Sequence, residues 1–469
     1  MSGDDWASSI LRDAELYLTE KGPRVDRLGA ASIDSRRTGG GDTFFALPGE
    51  RTDGHRFAAE ALERGAALAL LSDEEVFADL SRRYPRKKLI LVSDVLDSLQ
   101  ILAAARVGEA APWTLGITGS NGKTGTKNYC AAALSVVGKT VASRGNLNNL
   151  IGLPLCLFDL SLDTQFLVNE MGCSGFGEIA RLAELFEPAG GVITNVGEAH
   201  LEQLRDRAGV ARAKRELAEA LPPEGLLLVC GDDRYAAAMP AVSPARAVRA
   251  FGFGERNDLR LEDLGPEGGG RLMRLDGRKL RLRSPMRHSI LQAGAAWLAG
   301  RFHGADPEAL AASLEAVEPE GNRSALYRLG EWTVMDDSYN ANPDSLRAAL
   351  DWLADYPAAG RRWALLGDML EMGESGPMAH AEFGKKLAEA GTISLMSYGT
   401  LSAEMTKAAR EKGLASAEHF EEHEALASAL IERLRPGDVI LVKGSRGLEM
   451  ERVIGALERL SGQIREAVR

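Results

Sequence analysis

Cysteine is scarce in this chain: Cys130, Cys156, Cys173 and Cys230 are the four among 469 residues, and no two form a C-x-x-C pair. A chain of this length can build its own cores and has no need of disulfide staples, so buried, reduced thiols are expected. Positive charge is not in surplus either. The 56 Lys and Arg against 67 Asp and Glu leave a net charge of −11, so the chain offers no basic footprint and no nucleic-acid partner is expected. Acidity does not exclude a phosphorylated ligand, because a few local cations and a metal can reverse the local field. Long hydrophobic runs are missing too. No uncharged apolar stretch approaches the roughly 18 residues of a membrane span, and Met1-Ser2-Gly3-Asp4-Asp5 opens without the basic and apolar segments of a signal peptide. The expectation is a cytoplasmic protein with no membrane partner.

What is present is a globular composition, 45% hydrophobic and 26% charged, over a length that calls for about two to four domains. Residues 1–107 read as a small mixed α/β domain. It has helical spacing through Ala58, Ala61, Leu62 and Ala66, a strand at Thr43–Leu47 after Gly39-Gly40-Gly41-Asp42, and apolar runs at Ala69–Leu71 and Leu89–Val92. Gly108–Pro112 reads as a linker. Within 108–320, short apolar runs at Trp113–Ile117, Phe166–Val168, Gly191–Thr194 and Leu226–Val229 alternate with helical segments, the pattern of parallel strands with crossover helices. A hairpin is expected over Arg271–Arg283 around Asp276-Gly277, after the patch Gly268–Gly270. In 321–469 the alternation resumes, with strands at Trp332–Met335, Trp363–Leu366, Leu395–Tyr398 and Val439–Val442. Asp336, Asp337, Gly367, Asp368, Gly399, Lys443 and Ser445 follow those strands, where open parallel sheets bind ligands.

The most informative segment is Gly116-Ile117-Thr118-Gly119-Ser120-Asn121-Gly122-Lys123-Thr124, joining a strand to a helix expected to run to about Val137 and stop at Gly138. Backbone amides and the positive helix end suit phosphate oxygens, Lys123 would neutralise the β and γ groups, and Thr124 supplies the hydroxyl that magnesium expects. The strict G-x-x-x-x-G-K-[ST] pattern fails, because its first glycine would fall at Ile117. The loop is nonetheless read as ATP-binding.

That loop resembles the T-G-x-N-G-K-T version used by the Mur ligases, and the resemblance extends over nearly the whole chain. Ile33-Asp34-Ser35-Arg36, Gly41–Leu47 and Asp53-Gly54-His55 are similar to the family's uridine-nucleotide-binding domain, with Ser35 and Arg36 near the UDP moiety. Gly145-Asn146-Leu147-Asn148-Asn149 with Gly152-Leu153-Pro154, Asp337–Ser345, Leu366–Gly373 with His380, and Val442–Gly447 resemble the branch that adds D-alanyl-D-alanine. The resemblance implies an α/β protein of three domains: a UDP-binding domain, a central P-loop ATPase domain with a parallel sheet, and a Rossmann-like C-terminal domain. It implies ligation of D-alanyl-D-alanine to UDP-N-acetylmuramoyl-tripeptide, giving the pentapeptide precursor of peptidoglycan, by a chain expected to act as a monomer.

By the same resemblance Thr118 to Gly125, Gln292, Arg323, Asp337 and Asn340 would contact ATP, and Asn146, Asn148, Asn149 and Asn342 the other substrates. Glu170 and His200 would join Thr124 in binding magnesium. Lys214 would carry a carbamate formed with carbon dioxide, an anion able to help hold a second ion. Lys123, Glu170, His200 and Lys214 are thus the expected catalytic set. By themselves, a lone histidine and a helical lysine would read as packed or solvated residues. An acid closing an apolar strand opposite the phosphate loop, by contrast, can hold a magnesium ion against the phosphate oxygens. Departures from the family pattern stand at Gly125, at Ser289 and Gln292 where asparagine is usual, at Cys173–Phe176 beside the metal acid, and at Arg347.

The chemistry implied is activation of a carboxylate by the ATP γ-phosphoryl group, because a carboxylate oxygen is a poor leaving group. The resulting acyl phosphate is then attacked by the dipeptide amine. Two rival readings are a related Mur-type amide ligase acting on another carboxylate or amine, and a non-catalytic nucleotide-binding partner.

Overall fold

Three sheets organise the chain in a computed structural model that describes residues 6–21, 28–49, 52–198, 200–463 and 465–467. The opening segment 1–5 and Ala199, next to the expected metal-binding histidine, lie outside the described residues.

The first sheet has five strands. Ala31–Ser32, Thr43–Phe45, Leu68–Leu71 and Lys88–Val92 run parallel, and Tyr17–Lys21 closes one edge antiparallel. Leu68–Leu71 and Lys88–Val92 are buried along their whole length because both faces are covered. Phe44, Ala69 and Leu71 pack on the helix Ala58–Glu63, while Phe45, Leu70 and Ile90 pack on Val95–Ala110. The expected linker is shorter than its composition implied. Asp94 caps the second helix by accepting from the Asp97 N–H at 2.8 Å, the helix continues through Ala110, and only Ala111, at φ 46°, turns the chain. The same core runs on into Leu153, Leu157, Leu182 and Phe186, so the first domain is seated on the second.

The central sheet has nine strands. The strand Trp113–Thr118, third from one edge, lies between Phe166–Glu170 on one side and Gly190–Ile193 on the other. Connections therefore leave it toward both sides, which opens a crevice at its carboxyl end. The expected hairpin is present as Gly270–Leu275 and Arg278–Leu282, with Asp276 and Gly277 at φ 48° and 77°, the positive pair of a two-residue turn. Gly268–Gly270 proves to be a turn of its own, joining a further strand, Leu259–Glu267, to make a three-stranded meander.

The third sheet has seven strands. Ala417–Phe420, Ile393–Tyr398, Arg362–Gly367, Val439–Lys443 and Trp332–Asp337 are parallel, and Ala325–Leu329 and Arg465–Ala467 extend it antiparallel. Asp336, Asp337, Gly367 and Lys443 are the last residues of their strands rather than the first residues beyond them. They therefore gather at one sheet end, from which Asp337 and Lys443 face the cleft.

Candidate active site

Gly119 to Gly122 join the strand Trp113–Thr118 to the helix Lys123–Ser135. Gly119 has φ 153°, and a Cβ there would lie 1.8 Å from Thr194 Oγ1, so only glycine fits. The first helical turn holds no acid of its own, so its positive end can face phosphate. A neighbouring strand end holds the loop in shape. Thr194 Oγ1 and Asn195 Nδ2 donate to the Asn121 carbonyl at 2.7 and 3.0 Å, and Asn195 Oδ1 accepts the Asn121 N–H at 3.0 Å. Gly197 N–H donates to Ser120 Oγ at 2.9 Å. Thr194 and Asn195 were not singled out as functional from sequence, although a Thr-Asn pair closing an apolar strand was the available signal.

Lys123 donates to the Gly119 carbonyl at 2.8 Å. Burial pushes its ammonium pKa down, and the Glu170 charge opposes that shift. Thr124 Oγ1 donates to Glu170 Oε2 at 2.7 Å, and Asn148 Nδ2 donates to Glu170 Oε1 at 2.7 Å. One buried carboxylate thus links the phosphate-loop helix to the loop of Asn146–Asn149. Lys214, on the helix Arg207–Glu219, is buried and forms no hydrogen bond or ion pair among the described residues. Burial lowers its pKa to about 8, with the Cys173 thiol opposing and Lys123 adding to the shift.

The third domain supplies the opposite wall. Asn342 caps the helix Pro343–Asp355 in a reciprocal capping box with Ser345, and its Nδ2 crosses to Asn121 Oδ1 at 2.7 Å. Asp344 Oδ2 accepts the Glu198 N–H at 3.3 Å. His200, at φ 51°, places Nδ1 2.8 Å from Glu371 Oε2, and that hydrogen bond holds the Glu371 carboxyl below its ordinary pKa. Asp337 accepts Lys443 Nζ at 2.5 Å and the Ser324 N–H at 3.0 Å, and the Arg323 guanidinium stacks 3.6 Å from the Tyr339 ring centroid.

These walls enclose a cleft of about 620 Å³. Ser120 to Gly125, Asn148, Asn149, Glu170, His200, Gln292, Arg323, Asp337, Asn340 and Asn342 all line it. Other expected site residues stand elsewhere. Thr118 is wholly buried at its strand end, and Gly119 lies beneath the loop, its carbonyl taken by Lys123. Asn146 is exposed outside the cleft, and Lys214 lies behind the wall at Cys173. Asn149 borders the cleft, but its Oδ1 accepts the N–H groups of Ile151 and Gly152. Ser35 and Arg36 lie in the first domain. Ser35 donates to Glu60 at 2.7 Å, while Arg36 clasps Asp34 with two bonds of 2.9 and 2.8 Å.

Among the described residues no group of three or more His, Cys, Asp or Glu side chains could hold a metal ion. Thr124 and Glu170 nevertheless present oxygen donors that suit magnesium, which keeps waters and shares its shell with phosphate oxygens.

Comparison with known proteins is consistent along the chain. Family models match at residues 29–107 (Mur ligase family, catalytic domain), 117–292 (Mur ligase middle domain) and 322–446 (Mur ligase, glutamate ligase domain). UDP-N-acetylmuramoyl-tripeptide–D-alanyl-D-alanine ligase of Bacillus subtilis is 34% identical, over 90% of this chain and 92% of its own length. The chain belongs to the Mur ligase family. The ligase of the same name from Escherichia coli is 34% identical over 92% of this chain and 94% of its own length. Among solved Mur ligases, MurF from Acinetobacter baumannii superposes with a TM-score of 0.83 at 27% identity, covering 97% and 98% of the two chains. MurF from Thermotoga maritima, in complex with ADP, gives 0.78 at 27%, covering 92% and 97%.

The departures from the Mur ligase pattern have local explanations. Ser289, in the first turn of the helix His288–Phe302, donates its Oγ to the Met286 carbonyl just before that helix at 2.6 Å, away from the cleft. Arg347 pairs with Asp344 at 3.0 Å. Gly125 and Gln292 face one another across the first turn of the phosphate-loop helix.

Proposed function

We propose that this chain ligates D-alanyl-D-alanine to UDP-N-acetylmuramoyl-tripeptide at the expense of ATP. The observation that carries the reading is Glu170, whose two oxygens take Thr124 from the phosphate-loop helix and Asn148 from the acceptor-side loop. A single carboxylate at that junction suits a reaction in which a phosphoryl group passes from nucleotide to acceptor.

The amides of Ser120 to Lys123 would cradle the β- and γ-phosphates, and Lys123 would give up its carbonyl contacts to meet their charge. Asn340 and Gln292 would contact the nucleotide from either side, with Arg323 and Asp337 reaching it from the third domain. The muramoyl-peptide carboxylate, oriented by Asn148 and Asn342, attacks the γ-phosphorus in line, the bond to the β–γ bridging oxygen breaks, and ADP leaves as the acyl phosphate forms. The dipeptide amine then adds to the acyl carbon, and phosphate leaves from the tetrahedral intermediate. Contacts such as Asn342–Asn121 keep water from the acyl phosphate while the domains are together. Thr124, Glu170 and His200 would hold magnesium, which would supply positive charge to offset that of the phosphates. Lys214 as a carbamate would add an anion for a second ion, and its burial with no bonded partner among the described residues favours that chemistry.

Ser35 and Arg36 would approach the UDP moiety. We place the domain boundaries at 107/108 and 320/321, and take the working species as a cytoplasmic monomer. Among the described residues no helix is long and apolar enough to cross a membrane.

The test is phosphate release with UDP-muramoyl-tripeptide, ATP and D-alanyl-D-alanine, omitting each in turn, with mass spectrometry of the product. Release that needs all three, with a pentapeptide product, is the expected result. Release indifferent to the dipeptide would overturn the assignment and favour a related amide ligase using another amine.

A further inference from the structure

Lys127 is a buried lysine for which the reaction above has no use. It lies one turn beyond Lys123 and Thr124 on the phosphate-loop helix, is 2% exposed, and does not line the cleft. Among the described residues it makes no ion pair. Its Nζ donates instead to two neutral acceptors, the carbonyls of Ser143 at 2.7 Å and Gly145 at 3.0 Å. Taking an ammonium out of water without a countercharge is costly. A methionine of similar length would fill the same volume without that cost, so packing alone does not explain the amine.

The acceptors do. Ser143 and Gly145 begin the loop that ends in Asn148 and Asn149. Ser143 Oγ accepts the Glu170 N–H at 3.0 Å, Asn148 Nδ2 donates to Glu170 Oε1 at 2.7 Å, and the Asn148 carbonyl accepts the Gly172 N–H at 2.8 Å. The phosphate-loop helix therefore grips this loop twice, at its start through Lys127 and near its end through Thr124 and Glu170. Between the grips, Gly145, at φ 51°, lies in a turn closed by the Leu147 N–H on the Arg144 carbonyl at 3.1 Å.

We propose that Lys127 is a positioning residue that fixes the Ser143–Asn149 loop to the phosphate-loop helix, so that nucleotide binding at Ser120–Thr124 sets the acceptor side of the cleft. This rests on the reading that the loop contacts the muramoyl substrate.

The experiment is steady-state kinetics on the full chain carrying Lys127→Met and, separately, Lys127→Gln. It is paired with hydrogen exchange of the wild-type chain with and without ADP and magnesium. The expected result is a KM for UDP-muramoyl-tripeptide raised about tenfold or more, with the KM for ATP changed by less than about twofold. Exchange at 143–149 in the wild-type chain should slow when ADP binds. An equal rise in both KM values, or no rise, overturns the proposal. So does unaltered exchange at 143–149 on ADP binding, which is read whether or not the variants fold. Failure of the wild-type chain to make the pentapeptide would instead overturn the assigned reaction, and the omission assay separates the two.

Discussion

Gly125 and Gln292 share one volume. A Cβ on Gly125 would lie 2.4 Å from Gln292 Oε1 and 2.5 Å from its Nε2, so the longer carboxamide occupies space that a side chain at 125 would need. Two departures from the family pattern, at Gly125 and Gln292, are one exchange of bulk between neighbouring helices. The obstructing atoms are the far end of a flexible side chain, so crowding this point displaces Gln292 rather than unfolding the helix.

Gly125→Ser alone should therefore raise the KM for ATP, by roughly fivefold, and Gln292→Asn alone should raise it less. The double variant should recover most of the loss, with a coupling of about 1 kcal/mol in a double-mutant cycle. Additive effects would show that the two residues act independently.

Lys123→Ala removes the cation nearest the transferring group. Its cost should be about 3 kcal/mol or more, roughly a hundredfold or greater in kcat, with the melting temperature little changed. Steady-state kinetics beside a thermal melt checks this.

Asn342 has two separable jobs. Asn342→Asp keeps an oxygen to cap the helix Pro343–Asp355 but loses the donor to Asn121, so stability should hold while kcat/KM falls. Asn342→Ala loses both, and should also cost about 1 kcal/mol of stability. Denaturant unfolding beside kinetics on the two variants distinguishes the cap from the contact between domains.

Lys214 carries a pH signature. Its folded pKa of about 8 lies below the ordinary lysine value of 10.5. The buried ammonium is therefore a penalty present in full below about pH 8, and relieved as pH rises from there toward the unfolded value. Only the neutral amine adds carbon dioxide. Activity should rise between pH 7 and 8.5, and rise further with added bicarbonate in decarbonated buffer. Lys214→Arg, cationic throughout, should lose both responses. A bicarbonate-independent wild-type rate would remove the carbamate from the mechanism.

The sequence by itself determined the local chemistry. A glycine-rich loop between an apolar strand and a helix, an acid closing the strand Phe166–Glu170, and polar residues at successive strand ends were all legible, because period and turn chemistry are local properties of the chain. It misjudged what depends on neighbours. The linker from Gly108 is helical through Ala110, and a glycine patch is a hairpin turn. The strand Ala325–Leu329 was not seen although it pairs with the adjacent Trp332–Asp337, and Arg465–Ala467 was not seen because its partner is distant in sequence. Only the tertiary structure decided that Thr118 is buried away from the cleft, that Lys214 is a desolvated amine rather than a solvated one, and that Asn121 meets Asn342 221 residues away. Burial and distance between remote residues arise when sheets pack against one another, and no short window of sequence holds that information.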